Sequence, residues 1–215
     1  MIVDIQVWSD ITCPWCYLGK RRLEAALAGF GRPVRITYRA FQLDPSPPPR
    51  RMSVKQALAA KLGGPARAER MFAQVTSLAA SEGLILDFDR AVATDTFDAH
   101  RLVAWAARHG RQADMVEVLH RAHFTQGIDV GSFPDLAALA GVIGLDRNAA
   151  LHCLVSGWGA DMVRSDLVAA RDLGITSVPT FVIDGRFAVQ GAQEVAMLRE
   201  ALAEIQRREI IDTRR

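Results

Sequence analysis

The chain has 215 residues, half of them hydrophobic and 23% charged, and its 26 Lys and Arg against 24 Asp and Glu leave a net charge of +2. This is material for one large domain or two small ones with a full core, and it lacks the basic face of a nucleic-acid binder. No apolar run reaches the ~18 residues of a membrane span, and the opening MIVDIQVWSD has none of the regions of a signal peptide, so the expectation is a cytoplasmic protein without a membrane partner.

In chain order, Ile2, Asp4 and Gln6 alternate with Val3, Ile5 and Val7, the pattern of a strand. Cys13-Pro14-Trp15-Cys16 follows at once. Leu23, Ala26, Leu27 and Phe30 then recur at helical spacing, and Gly29, Gly31 and Pro33 end that helix. On it, Lys20-Arg21-Arg22 reads as a solvated face. Residues 33–43 predict a second strand, so 2–43 predicts a parallel strand–helix–strand unit. DPSPPPR, residues 44–50, holds prolines that lack donors and fix φ, and reads as an extended linker.

Residues 53 to about 157 predict helices almost throughout. SVKQALAAKLGG is a short one. The next begins near Pro65, carries Met71, Val75 and Leu78, and stops at Gly83. DTFDAHRLVAWAARHG starts with capping residues and ends at Gly110. Another carries Val116, Leu119 and Phe124; Ser132-Phe133-Pro134-Asp135 opens a further one, and Asp146 caps the one after. Trp158 to Leu173 completes the helical run. TFVIDG and RFAVQG then predict two short strands joined at Asp184-Gly185, a strong hairpin signal, and Gln193 to Arg207 a final helix.

Three cysteines do not make a disulfide framework, and in a reducing compartment a CxxC pair is more often catalytic or metal-binding than structural. A thiolate is the attacking species in disulfide exchange. Cys13 stands where a helix starts, and the unpaired N–H groups and dipole of a helix N-terminus favour an anion. Pro14 fits the first helical turn, where a missing donor does no harm. Cys16, a turn further on, is placed to attack a mixed disulfide held on Cys13. Lys20, one more turn along, would add modest positive potential. Val178-Pro179, just before a strand, is a candidate cis bond whose exposed backbone would receive an extended peptide or glutathione.

The stretches SDITCPWCYLGKRRLE, FQLDP at 41–45, TFDAHRL at 96–102 and TSVPTFVIDGRFAVQGAQ at 176–193 together resemble the thioredoxin superfamily, specifically the DsbA-like group with a helical insertion and its FrnE-like branch. The resemblance covers nearly the whole chain. It implies an α/β thioredoxin fold, a mixed sheet with flanking helices formed by residues 1–50 and 158–215, interrupted by an all-helical insertion at 51–157. It also implies Cys13 as exposed nucleophile, Cys16 as resolving thiol, a cis Pro179, and a substrate groove between fold and insert. The activity implied is thiol–disulfide oxidoreduction on protein thiols or glutathione, with no tightly bound cofactor. The same insert-bearing fold is similar to kappa-class glutathione transferases and 2-hydroxychromene-2-carboxylate isomerase, an alternative that the presence of both cysteines opposes, since those enzymes typically carry Ser at the position of Cys13. A third alternative is a non-catalytic binder of zinc or peptide. Dimerisation through the insert is a further expectation.

Several residues carry two readings. His100 either lines the groove near Cys13 and shares its proton, or only caps the insert. Trp15 either touches substrate or packs. Asp10 either takes up protons beside the cysteines or caps the strand end. Cys153 reads as a buried helical thiol, and His120 with His123 as a packed pair without carboxylate partners rather than a metal site. Asp87 and Asp89 resemble a calcium loop, but its glycine position falls on Val92 and its bidentate Glu position on Asp98. No metal is expected.

Overall fold

Strand β1 (Val3–Ser9) turns Val3, Ile5 and Val7 into the core, as its alternation requires, and buries Trp8 on the opposite face. The computed structural model describes residues 2–46 and 52–212, with side chains as far as Arg208; residues 47–50 of the expected linker lie outside them. Helix α1 (Pro14–Leu27) carries the chain to strand β2 (Val34–Ala40), which runs parallel to β1 from Val3 opposite Val34 to Ser9 opposite Ala40. The expected strand 33–43 thus stops at Ala40. Beyond it the Leu43 N–H leaves the ladder and bonds the Asp10 carboxylate at 2.8 Å.

Six helices follow: α2 (Val54–Lys61), α3 (Pro65–Ser81), α4 (Phe97–Ala107), α5 (Gln112–Arg121), α6 (Phe133–Val142) and α7 (Arg147–Val155). A reciprocal cap between Ser53 and Gln56 starts α2, the Asp146 side chain caps α7, and α5 continues into a π-helical turn at Ala122–Gln126. Helix α8 (Ala160–Asp172) leads back to strands β3 (Thr180–Ile183) and β4 (Phe187–Gln190), and α9 (Val195–Asp212) ends the described chain. The sheet order is β2-β1-β3-β4, with β3 antiparallel to both neighbours. Asp184 and Gly185 both take positive φ, 51° and 64°, as a type I′ hairpin turn demands.

This is the mixed sheet with flanking helices of a thioredoxin-like fold, interrupted in the chain by a helical block. The interruption is one of chain order. In space the largest core joins Val3, Ile5, Val7 and Phe181 of the sheet to Leu102, Leu119, Leu136 and Leu154 of the helices. A second core holds α2 and α3 against Tyr17 and Leu18 of α1. The free edge of β2 is covered by side chains: Gln112 exchanges two 3.0 Å hydrogen bonds with the Tyr38 backbone, and Asp166 accepts the Ala40 N–H at 3.0 Å.

The solvated face expected for Lys20-Arg21-Arg22 is corrected. Lys20 and Arg22 are each 4% exposed. Lys20 Nζ lies 2.6 Å from carboxylate oxygens of both Glu24 and Glu117, and Arg22 reaches Glu82, Glu194 and the Ala192 carbonyl. Long stems lie along apolar surface while the charged ends meet carboxylates from other elements.

Candidate active site

The loop after β1 ends at Cys13, which is the N-cap of α1 and accepts no side-chain capping bond, with Pro14 in the first turn. Its carbonyl accepts the N–H groups of Cys16 at 3.0 Å and Tyr17 at 3.3 Å. The Cys13 thiol donates to the Val178 carbonyl at 3.7 Å, and the Val178–Pro179 bond is cis. Both cysteines are free thiols. Burial pushes the Cys16 thiol well above its usual range, the neighbouring Cys13 pushes it further, and the Asp10 N–H and Ser9 hydroxyl pull the other way. The expectation of an exposed nucleophile is corrected: Cys13 is 3% exposed, packed in one cluster with Trp8, Cys16, Ile175 and Val178. Trp15 is half-buried and touches both this cluster and the α2–α3 core.

Gly19, one turn past Cys16, carries no signal in the sequence beyond its place in the family-like stretch. In space it faces Pro179 so closely that a β-carbon would lie 2.6 Å from the ring Cγ and 3.4 Å from Phe181 Cζ. The approach of α1 to the Val178–Pro179 turn therefore depends on a missing side chain.

Asp10 lies behind the cysteines, 1% exposed. Its backbone carbonyl accepts the Cys13 N–H at 3.2 Å, and its Oδ2 accepts the Leu43 N–H. His100 Nε2 is 3.4 Å from Asp10 Oδ1 and 3.0 Å from the Phe41 carbonyl. Both neighbours are acceptors, so Nε2 carries the proton. Its hydrogen bond goes to Phe41, and the contact to Asp10 is electrostatic, since Oδ1 has no formed hydrogen bond. Burial works to raise the Asp10 carboxyl, but His100, the Leu43 N–H and Thr96 hold it below the usual range. The Asp10 carboxylate thus caps the chain where it leaves β2, through the Leu43 N–H, while its backbone carbonyl holds the Cys13 N–H.

The next residue of the TFDAHRL stretch, Arg101, is structural. It is 3% exposed and donates to the carbonyls of Cys153, Leu154 and Trp158 at 2.8–3.0 Å, closing the C-terminal end of α7. Cys153 is a buried thiol on that helix, raised above its usual range by burial. His120 donates from Nδ1 to the Ile11 carbonyl at 2.9 Å and stacks on Tyr17 with centroids 5.0 Å apart. His123 packs edge-on against Phe124 at 4.6 Å, with both ring nitrogens unpartnered. Burial lowers the two to about 3 and about 4. Among the described residues no group of three His, Cys, Asp or Glu is placed to hold a metal. Asp87 caps the backbone N–H groups of Asp89 and Arg90, and Asp89 pairs with Lys55, so the calcium-loop likeness ends in an ordinary turn. The positive potential expected of Lys20 at the cysteines is offset by its two carboxylate partners.

A cleft of about 500 Å³ opens between β2 and helices α4, α5 and α8, lined among others by Ser9, Ile11, Tyr38, His100, Val103 and Asp166. It lies between sheet and helical block, where a groove is expected, yet beside the cysteines rather than over them. Cys13, Cys16, Val178 and Pro179 form one constellation, and His100 joins it from the cleft side through Asp10.

A mixed β2-β1-β3-β4 sheet with a CxxC at the first helix start, facing a cis-proline turn, defines a thioredoxin-like protein with a helical insertion. The DSBA-like thioredoxin domain family matches residues 4–203, and the chain belongs to that family. Its likeness to the probable DsbA oxidoreductase SCO1869 of Streptomyces coelicolor is 35% in identity with a TM-score of 0.88, over 94% of this chain and 89% of that one. It is 26% identical to the uncharacterized protein YwbO of Bacillus subtilis, over 97% of this chain and all of the relative. The fold is also that of the cytosolic disulfide reductase DsbM of Pseudomonas aeruginosa, in a structure with GSH, at 19% identity and a TM-score of 0.66 over 95% of this chain and 99% of that one. No helix among the described residues is long and apolar enough to cross a membrane.

Proposed function

We propose that the protein is a cytoplasmic thiol–disulfide oxidoreductase working through Cys13 and Cys16. The observation that carries this reading is the Cys13 thiol at an uncapped helix start, 3.7 Å from the Val178 carbonyl. Cys13 forms the mixed disulfide with a substrate, and Cys16 attacks it, closing the Cys13–Cys16 bond and releasing the substrate thiolate. Val178, Pro179 and Trp15 border the position of the substrate. Glutathione is the proposed small co-substrate; the reductase DsbM, which shares the fold, is described with GSH. Two cysteines in this arrangement favour disulfide exchange over a glutathione-dependent isomerisation, in which the thiolate is glutathione's own.

The test is a redox titration in a glutathione buffer, read by tryptophan fluorescence, with the disulfide verified by mass. A reversible two-electron transition that disappears in Cys13→Ser is expected. No transition, with glutathione bound all the same, would replace this reading by the isomerase or transferase one. Its midpoint, near the ~−120 mV of an oxidant or the ~−270 mV of a reductant, sets the direction of the reaction.

A further inference from the structure

Cys13 leaves strand β1 through a single turn. The Asp10 carbonyl accepts the Cys13 N–H at 3.2 Å, which closes a four-residue turn with Ile11 and Thr12 at its centre. The direction in which such a turn delivers its last residue is set by its central peptide, here the one joining Ile11 to Thr12. The Ile11 carbonyl belongs to that peptide, and it is held from the helical block: His120 Nδ1 of α5 donates to it at 2.9 Å, with both residues buried. The His120 ring lies nearly parallel to Tyr17, with centroids 5.0 Å apart and planes at 13°, and to Phe124, at 6.2 Å and 18°. Tyr17 follows Cys16 directly in α1, and its hydroxyl donates at 2.9 Å to Glu117, also on α5. One helix of the insert thus grips the chain on both sides of the cysteine pair. Burial lowers His120 to about 3, so the ring stays neutral and brings no charge to the thiols. Its Nε2 is buried without a partner, which leaves the Ile11 carbonyl as the ring's polar contact among the described residues.

We propose that His120 is a positioning residue for the nucleophile: by holding the Ile11 carbonyl it fixes the turn that delivers Cys13 to the start of α1, one turn before Cys16. The inference rests on the reading of Cys13 and Cys16 as a redox pair. In that reaction Cys13, as thiolate, attacks a substrate disulfide and one substrate thiolate leaves. Cys16, as thiolate, then attacks Cys13 Sγ, the Cys13–Cys16 bond forms, and the second substrate thiolate leaves. The cysteines are oxidised and the substrate disulfide is reduced, and His120 exchanges neither proton nor electron in either step. It acts on the place of one sulfur. A buried carbonyl that loses its donor is costly to leave unpaired, so the central peptide tilts to find another partner and carries Cys13 with it. Small displacements of a reacting group slow its reaction steeply. A displaced Cys13 also meets Cys16 less often, so the Cys13–Cys16 disulfide forms less favourably and is easier to reduce.

Two substitutions separate the donor from the ring. His120→Phe keeps a flat ring beside Tyr17 and Phe124 and removes the donor. His120→Asn removes the ring and keeps the donor, because its amide nitrogen, like Nδ1, stands one bond beyond Cγ. The aromatic disulfide dithiobis-nitrobenzoate reads the reaction. Reduced protein, in a Cys153→Ser background so that two thiols remain, releases one coloured thiolate when Cys13 attacks and a second when Cys16 resolves. In His120→Phe the first release should slow about tenfold. The equilibrium constant for closing the disulfide in a glutathione buffer should fall by about the same factor, which moves the midpoint ~30 mV toward less negative potential. In His120→Asn the rate and the midpoint should both stay within about twofold of the parent, even though urea unfolding shows a loss of stability. His120→Met, which also lacks the donor, stands in if His120→Phe does not fold. An unchanged rate and midpoint without the donor, or equal changes in the Phe and Asn variants, would overturn the positioning role. So would a nitrogen resonance spectrum of the parent with the His120 proton on Nε2 instead of Nδ1. A parent protein whose thiolate release does not depend on Cys13 would instead remove the redox reading on which the proposal rests.

Discussion

Gly19 and Pro179 stand against each other so closely that a single β-carbon on Gly19 would lie 2.6 Å from the Pro179 ring. The side of α1 that follows the cysteines thereby fixes how far the Val178 carbonyl stands from the Cys13 thiol. Gly19→Ala must push the turn and the helix apart, because the atom met is part of a closed ring with a fully buried Phe181 behind it. Overpacking of this kind costs roughly 1–3 kcal/mol. Chemical denaturation should show that loss, and the first thiolate release from dithiobis-nitrobenzoate should change as well. A variant as stable and as fast as the parent would show that the turn yields without consequence.

The parts of this site that were legible in the sequence are those carried by neighbours in the chain. CPWC sits between an alternating strand and a helical stripe, and Asp184-Gly185 lies between two short β runs; both are local patterns. The burial of Lys20 and Arg22 was not legible, because the carboxylates that pair them, Glu117, Glu82 and Glu194, arrive from distant elements. The same holds for Gly19, whose constraint comes from Pro179, and for the near-complete burial of Cys13 under residues that include Ile175 and Val178. The two readings of His100 were open because its partners, Asp10 and Phe41, belong to the first strand–helix–strand unit.

Arg101 and His100 are adjacent in TFDAHRL, and their substitutions should separate. Arg101→Met removes the donor to three backbone carbonyls and leaves those of Cys153 and Leu154 without their charged partner. A hydrogen bond to a charged group contributes a net ~1.5–3 kcal/mol, so a loss of at least about 3 kcal/mol in unfolding free energy is expected. The redox midpoint should stay where it is. A shifted midpoint with unchanged stability would mean that Arg101 reaches the cysteines.

The β2 edge is closed by Gln112 and Asp166 alone among the side-chain bonds to its backbone in the described residues. Gln112→Ala with Asp166→Ala frees the Tyr38 N–H and carbonyl and the Ala40 N–H, and an open edge is a template for another strand. Light scattering should then report association that grows with protein concentration and is weaker in the parent. Equal behaviour of the two proteins would show that the helices on either side already exclude a partner strand.

His123 makes acid stability a specific expectation. Burial depresses it to about 4 and His120 to about 3, both from 6.5. Between pH 6.5 and about 4 the unfolded chain therefore binds protons that the folded chain does not, and stability falls as the pH falls through that window. Each unit of separation is worth ~1.4 kcal/mol per group, so the two together cost several kcal/mol by pH 4. Asp10, held low, acts later: its contribution is present above about 3.8 and is lost as the pH drops through its lower folded value. Since neither nitrogen of His123 has a hydrogen-bond partner, His123→Leu removes a buried polar ring without stranding another group. It should be neutral or stabilising at pH 7 and should flatten the acid slope by roughly half. Urea unfolding of both proteins at pH 7 and pH 5 measures this directly, and parallel slopes would show that His123 is protonated in the folded protein.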